Sequence, residues 1–147
     1  MRVYLDNCSY NRPYDDQSQI RIHLETQAKL HIQDMIREKR IELVTSYVLD
    51  FENSNNRSMQ KKMAIEKFLK DYAALYVSNR NEKEIVELVK HIMMMGVKEK
   101  DVYHVACAIV AKCNYFITTD DRLLKYQSEK VDLVTPEEFI RRMEADD

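Results

Sequence analysis

The sequence predicts an α/β fold of three layers, α/β/α, around a short, mainly parallel sheet of four to five strands. Three observations carry this. Short β-like runs alternate with amphipathic helical stretches, an order that implies parallel strands joined by helical crossovers on both faces. One glycine and two prolines in 147 residues leave no room for a flexible linker. Hydrophobic residues make up 45% and charged ones 33%, which suits a single domain, 1–147, with a real core.

The first strand is Val3-Tyr4-Leu5, closed by Asp6. A loop from Asn7 to Asp16, with Pro13, leads into a helix from about Gln17 to Lys39. Its buried face is expected at Ile20, Leu24, Ala28, Ile32, Met35 and Ile36, spaced by three and four. Ile41 to Thr45 reads as the second strand, and Ser46 as the N-cap of a short helix carrying Val48, Leu49 and Phe51. After the break at Asn53-Ser54-Asn55-Asn56, a helix is expected from about Ser58 to Tyr76. Met63, Phe68, Leu69, Tyr72 and Leu75 would face inward.

Asn81 caps the next helix, with Glu84 at its third position and an apolar stripe of Ile85, Leu88, Val89 and Ile92. Gly96 falls where a left-handed C-terminal residue is needed. Met93-Met94-Met95, just before it, suit gap filling in a core. A helix rich in small residues runs from about Glu99 to Lys112 and packs on the sheet. Tyr115 to Thr118 is the third strand, Asp120-Asp121 opens a short helical turn, and Val131 to Val134 is the fourth strand. Thr135-Pro136-Glu137-Glu138 starts the last helix with an N-cap, a proline and a glutamate.

Composition excludes several classes. The longest apolar run, Val105 to Ala111, is too short to span a bilayer, so no membrane role is expected. An acid already at position 6 rules out a signal-peptide apolar core at the start, and the expected location is cytoplasmic. Cys8, Cys107 and Cys113 lack the spacing of a disulfide framework or zinc site and read as reduced thiols. The 23 Lys and Arg nearly cancel 25 Asp and Glu, so any nucleic acid must be held by local positive patches.

Four acids from four segments can converge at one edge of the sheet. Asp6 follows the first strand and Asp120 the third, so both reach the crevice where open α/β sheets bind ligands. Glu52 lies on the helix after the second strand, and Asp101 opens the small-residue helix. Carboxylates held together repel unless a cation offsets them, and Mg²⁺ takes oxygen ligands, keeping several waters. Such an ion can activate water for phosphodiester hydrolysis, and no Ser-His-Asp or Cys-His arrangement points to a covalent nucleophile.

The segments Val3-Tyr4-Leu5-Asp6, Ser46 to Glu52, Lys100 to Ala108 and Phe116 to Asp120 together resemble the PIN domain, a metal-dependent nuclease fold. That family is best known from toxin subunits of bacterial and archaeal toxin–antitoxin pairs. The resemblance spans Arg2 to about Phe139. It implies that Asp6, Glu52, Asp101 and Asp120 form the acidic site, with Asp6, Asp101 and Asp120 on Mg²⁺ or Mn²⁺, and that RNA is the substrate. It also implies a homodimer and, in the toxin branch, a small antitoxin protein as partner. Cys8 stands where many members carry Ser or Thr. Asp50 competes with Glu52 for the second acidic position and Asp121 with Asp120 for the fourth; the apolar Tyr47, Val48 and Phe51 favour Glu52. Asn7, Arg12, Thr118 and Arg122 are candidates for substrate contact. His104, one turn after Asp101, reads either as a structural histidine or as a group that orients Asp101 or meets a phosphate.

Overall fold

The computed structural model of the chain describes residues 1–145, so the last two positions of the expected domain lie outside the described residues. Five strands form one sheet: β1 (Arg2–Leu5), β2 (Glu42–Ser46), β3 (Ala73–Val77), β4 (Tyr115–Ile117) and β5 (Asp132–Val134). Their spatial order is β3-β2-β1-β4-β5, and every neighbouring pair is parallel. The α-helices among the described residues are α1 (Asn7–Asn11), α2 (Ile20–Arg37), α3 (Tyr47–Ser54), α4 (Met59–Tyr72), α5 (Glu82–Met93), α6 (Glu99–Val110) and α7 (Pro136–Ala145).

A parallel sheet must be covered on both faces, because its strands carry apolar residues on each. Val3, Tyr4 and Leu5 of β1 and Phe116 and Ile117 of β4 are fully buried. Right-handed crossovers put α2 and α4 on one face and the α5–α6 pair on the other. α7 packs beside α2, and α5 beside α6. Ala106, Cys107 and Ala108 are completely buried, so the small side chains of α6 do allow a close approach.

Strand order decides where a ligand can enter. From β1 the chain moves outward through β2 to β3, then crosses back to β4 on the other side of β1. The direction reverses between β1 and β4. The carboxyl ends of these two strands therefore diverge into a crevice, the place where doubly wound sheets bind ligands.

Three stretches differ from the sequence reading. The helix expected to reach Tyr76 stops at Tyr72, and Ala73–Val77 is an edge strand pairing Leu75 with Val44 and Tyr76 with Thr45. Leu, Tyr and Val in a short run suit either period, and the free edge of β2 settles it. Consequently Met63, Tyr72 and Leu75 are exposed, while Phe68 and Leu69 are buried. The expected loop after Asp6 is helical, α1 followed by a 3₁₀ turn at Arg12–Tyr14, because the Asp6 side chain caps it by accepting the Ser9 N–H. Finally, α2 starts at Ile20, and Ile20 and Leu24 are exposed, whereas Ala28, Ile32, Met35 and Ile36 are buried. Glu25, Thr26 and Lys29 occupy the inner face of its first turns instead.

Caps fall as expected at three helix starts, whereas Asn81, expected to cap α5, makes no side-chain cap bond and ends a 3₁₀ turn capped by Ser78. Ser46, Ser58 and Thr135 oxygens accept backbone N–H groups at the starts of α3, α4 and α7. Gly96 has φ +92°, the left-handed value that α5's exit turn requires, and its N–H donates to the Met93 carbonyl. Met94 and Met95, by contrast, are exposed on that turn and fill no core gap. No helix among the described residues is long and apolar enough to cross a membrane.

Candidate active site

Asp6 leaves the end of β1 directly into the switch-point crevice. It is 6% exposed, and every approach to its carboxylate is made by a donor. Oδ1 accepts from Cys8 Sγ at 2.8 Å, from Ser9 N at 3.2 Å and from Ser9 Oγ at 3.3 Å. Oδ2 accepts from the Thr118 hydroxyl. Burial raises the Asp6 carboxyl above its ordinary value, against the pull of these donors. The Cys8 thiol, pushed up to about 12 by burial and by Asp6, stays protonated and donates to the acid. Cysteine thus supplies here a donor of the kind a serine or threonine hydroxyl would.

Thr118 ties the two strand ends together. Its hydroxyl donates to Asp6 and accepts the N–H of Asp120 at 3.1 Å. Asp120 Oδ1 in turn accepts the N–H groups of Arg122 and Leu123, at 2.9 and 3.3 Å, capping the turn that follows. Asp101, in the first turn of α6, faces this pair. Its carboxyl is raised by burial, then by the charges of Asp120 and Asp6, while Lys100 and His104 act the other way. Three acids thus lie within electrostatic reach of one another in the crevice. Among the described residues, no three His, Cys, Asp or Glu side chains stand close enough to enclose an ion by themselves.

Glu52 is held by a separate device. Its Oε1 lies 2.6 Å from His104 Nε2, and His104 Nδ1 lies 2.6 Å from the Tyr4 hydroxyl. Tyr4 Oη is 2.7 Å from Ser46 Oγ, which accepts the Leu49 N–H that starts α3. Either hydroxyl can donate between Ser46 and Tyr4, and the tautomer of His104 sets the direction of the bonds to Tyr4 and Glu52. His104 and Tyr4 are buried, so the line runs through the core from β1 to α6 and α3. His104 therefore contacts Glu52 and not Asp101. The residue was visible in the sequence, but its partner, 52 positions away, was not.

The competing acids point elsewhere. Asp50 is exposed and accepts the Tyr76 hydroxyl at 2.8 Å. Asp121 is exposed and takes a two-pronged contact from Arg21, both bonds 2.8 Å.

Two of the four substrate-contact candidates need correction. Arg12 turns toward α2, where Nη2 meets Glu25 Oε1 at 2.8 Å and Nη1 meets Asp15 at 3.1 Å, because the buried Glu25 demands a cation. Thr118 is fully buried with its hydroxyl committed on both sides, so it positions Asp6 and Asp120 and cannot meet substrate directly. Asn7 is half-buried at the start of α1, its side-chain oxygen accepting from Asn11 at 3.2 Å. Arg122 is exposed beside Asp120.

Beside Glu52 opens a cleft of about 630 Å³ lined by Tyr47, Val48, Phe51, Tyr103 and the Lys100 side chain. Glu52, Glu82 and Glu99 complete its lining.

No protein-family model matches the chain, and no curated protein matches it. Solved structures do. VapBC2 from Rickettsia felis, crystallised with a DNA fragment from its promoter, matches at TM-score 0.54 and 15% identity over 92% of this chain and 98% of that one. FitAcB from Neisseria gonorrhoeae matches at TM-score 0.56 and 15% identity, with the same coverage. The likeness is one of fold, and it extends over nearly the whole length of each.

Proposed function

We propose that this chain is a metal-dependent endoribonuclease, with Mg²⁺ or Mn²⁺ held at Asp6, Asp101 and Asp120. The observation that carries the reading is the raised carboxyl of Asp101, which owes its shift partly to Asp120 and Asp6. An acid whose charged form is destabilised by two acidic neighbours at a ligand crevice suits the binding of a cation. The donors are hard carboxylate oxygens, and Mg²⁺ needs only one or two of them directly, filling its other positions with water. The absence of a closed three-ligand cage is compatible with that habit.

When bound, such an ion lowers the pKa of a water and stabilises charge on a phosphoryl oxygen. The chain's own residues do the rest. Cys8, Ser9 and Thr118 fix Asp6; Thr118 fixes the start of the Asp120 turn. Glu52, oriented by His104, would take a proton from water. Arg122 and Lys100 flank the acids and suit phosphate contact. The proposed setting is a cytoplasmic homodimer with a small antitoxin protein as partner, as the resemblance implies; the likeness in fold to VapBC2 and FitAcB supports the antitoxin alone.

The deciding test is cleavage of a mixed single-stranded RNA pool with Mn²⁺, with Mg²⁺ and with chelator, beside Asp6→Asn prepared identically. Cutting that needs metal and disappears in the variant is the expected result; equal cutting by both proteins would overturn the assignment. A second reading is a catalytically silent module that works by binding protein. It predicts neither cleavage nor saturable Mn²⁺ binding.

A further inference from the structure

On α2, Lys29, Gln33 and Arg37 are spaced by four, so their side chains form one stripe. Lys29 and Gln33 face α1 and α4, 4% and 8% exposed, while Arg37, at 44%, stands at the solvent edge. Between these helices lies a cavity of about 210 Å³, lined also by Tyr10, Tyr14 and Phe68. No Asp or Glu lines it.

The polar groups around this cavity lack partners. Lys29 Nζ makes no ion pair or hydrogen bond among the described residues and lies 5.5 Å from the Tyr10 ring centre. The Tyr10 hydroxyl is buried and unpartnered. Arg37 spends one nitrogen on Asp34, at 2.9 Å, and stacks its guanidinium 5.3 Å from the centre of Phe68. Lys61 Nζ stands 5.3 Å above the Tyr14 ring at the same wall. Buried donors are almost always satisfied, and a buried ammonium without a carboxylate is costly. Two cations lining one cavity without a carboxylate among its walls call for an anion.

We infer that this cavity is a second binding site, separate from the acidic crevice, for a phosphoryl oxyanion gripped by Lys29, Arg37, Gln33 and the Tyr10 hydroxyl. The cavity, about 210 Å³, has room for a phosphate group. Planar forks and ammonium groups are the usual phosphate donors. Burial and the nearby Arg37 lower the Lys29 ammonium to about 7 in the empty site, and a bound anion would restore its charge. The chemistry is shared by free phosphate and by the phosphorylated end of a nucleotide chain. The inference does not depend on the nuclease reading, since none of its residues belongs to the acidic site.

The test is calorimetric titration at pH 6.5 and low salt, first with inorganic phosphate and then with a 5′-phosphorylated dinucleotide and its unphosphorylated counterpart. Saturable binding is expected, weakened about tenfold or more in Lys29→Met and less in Tyr10→Phe, and kept in Asp6→Asn. Binding of phosphate identifies the free ion as the ligand; binding of the phosphorylated dinucleotide alone identifies a chain terminus. No saturable binding of either, or equal binding by Lys29→Met, overturns the site. Lys29→Met removes an unpaired buried charge and is expected to fold, which its thermal unfolding would verify. Loss of cleavage in Asp6→Asn with phosphate binding intact separates this site from the other.

Discussion

His104 Nε2 and Glu52 Oε1 stand 2.6 Å apart, and this contact fixes the acid carried by α3. Behind it the imidazole rests on Tyr4, whose ring also stacks on Phe116 at 5.3 Å. The orientation of Glu52 is therefore set from the centre of the sheet.

Tyr4→Phe tests that line. The variant keeps the ring and its packing but leaves Ser46 Oγ and His104 Nδ1 without their shared partner. Unfolding in urea should show a loss of about 1–3 kcal/mol, the cost of buried polar groups left unpaired. His104→Gln should lower turnover on RNA more than it lowers substrate affinity, because Glu52 is freed while the other acids stay in place. An unchanged turnover would make the histidine a packing group only.

Asp101→Asn bears on the acids' mutual repulsion. A carboxyl whose folded value is raised holds its proton longer in the native state than in the unfolded one. Stability without metal then falls as pH rises from the ordinary carboxylate range through the raised value, and stays lower above it. The Asn variant lacks that loss, so at neutral pH without metal it should melt above the parent. With saturating Mn²⁺ the order should invert, since only the parent gains fully from the ion. Thermal melts at pH 4 to 8, with and without Mn²⁺, read both signs.

The acids at strand ends were legible because an apolar run closed by Asp is a local pattern. Asp6 and Asp120 needed only the strands β1 and β4 to be placed. What could not be read were partners set by the tertiary fold: Thr118 reaches Asp6 across 112 residues, and Arg12 reaches Glu25 from another helix. Strand β3 was hidden by an apolar run too short to choose between periods, and pairing with β2 decided it. Lys29 and Gln33 would pass in sequence for a solvated helix face, and only the tertiary fold buries them.

Lys29 predicts a second pH dependence, of opposite sign to that of Asp101. Its folded value, about 7, lies below the unfolded one, so the unfolded chain binds more protons between the two. Stability should rise with pH from about 7 toward the ordinary lysine value of about 10.4. Lys29→Met should flatten this rise and melt above the parent at pH 6. Phosphate should raise the parent's melting temperature at that pH and leave the variant's unchanged.

Arg12→Met distinguishes a structural arginine from a substrate contact. Glu25 is 1% exposed, and Arg12 provides its two short bonds, at 2.8 and 2.9 Å. Arg21 is the remaining cation, 3.6 Å away and half exposed. Oε2 already lacks a partner, so the carboxylate has little to fall back on. Removing one side of a buried pair strands the other charge, at a cost of about 3–5 kcal/mol. Replacing both members, Arg12→Met with Glu25→Leu, should recover most of that loss, because the penalty belongs to the stranded acid and not to missing packing. Urea unfolding of the single and double variants measures the difference. If the single variant were as stable as the parent but bound RNA more weakly, Arg12 would be a substrate contact after all, and its pairing with Glu25 incidental.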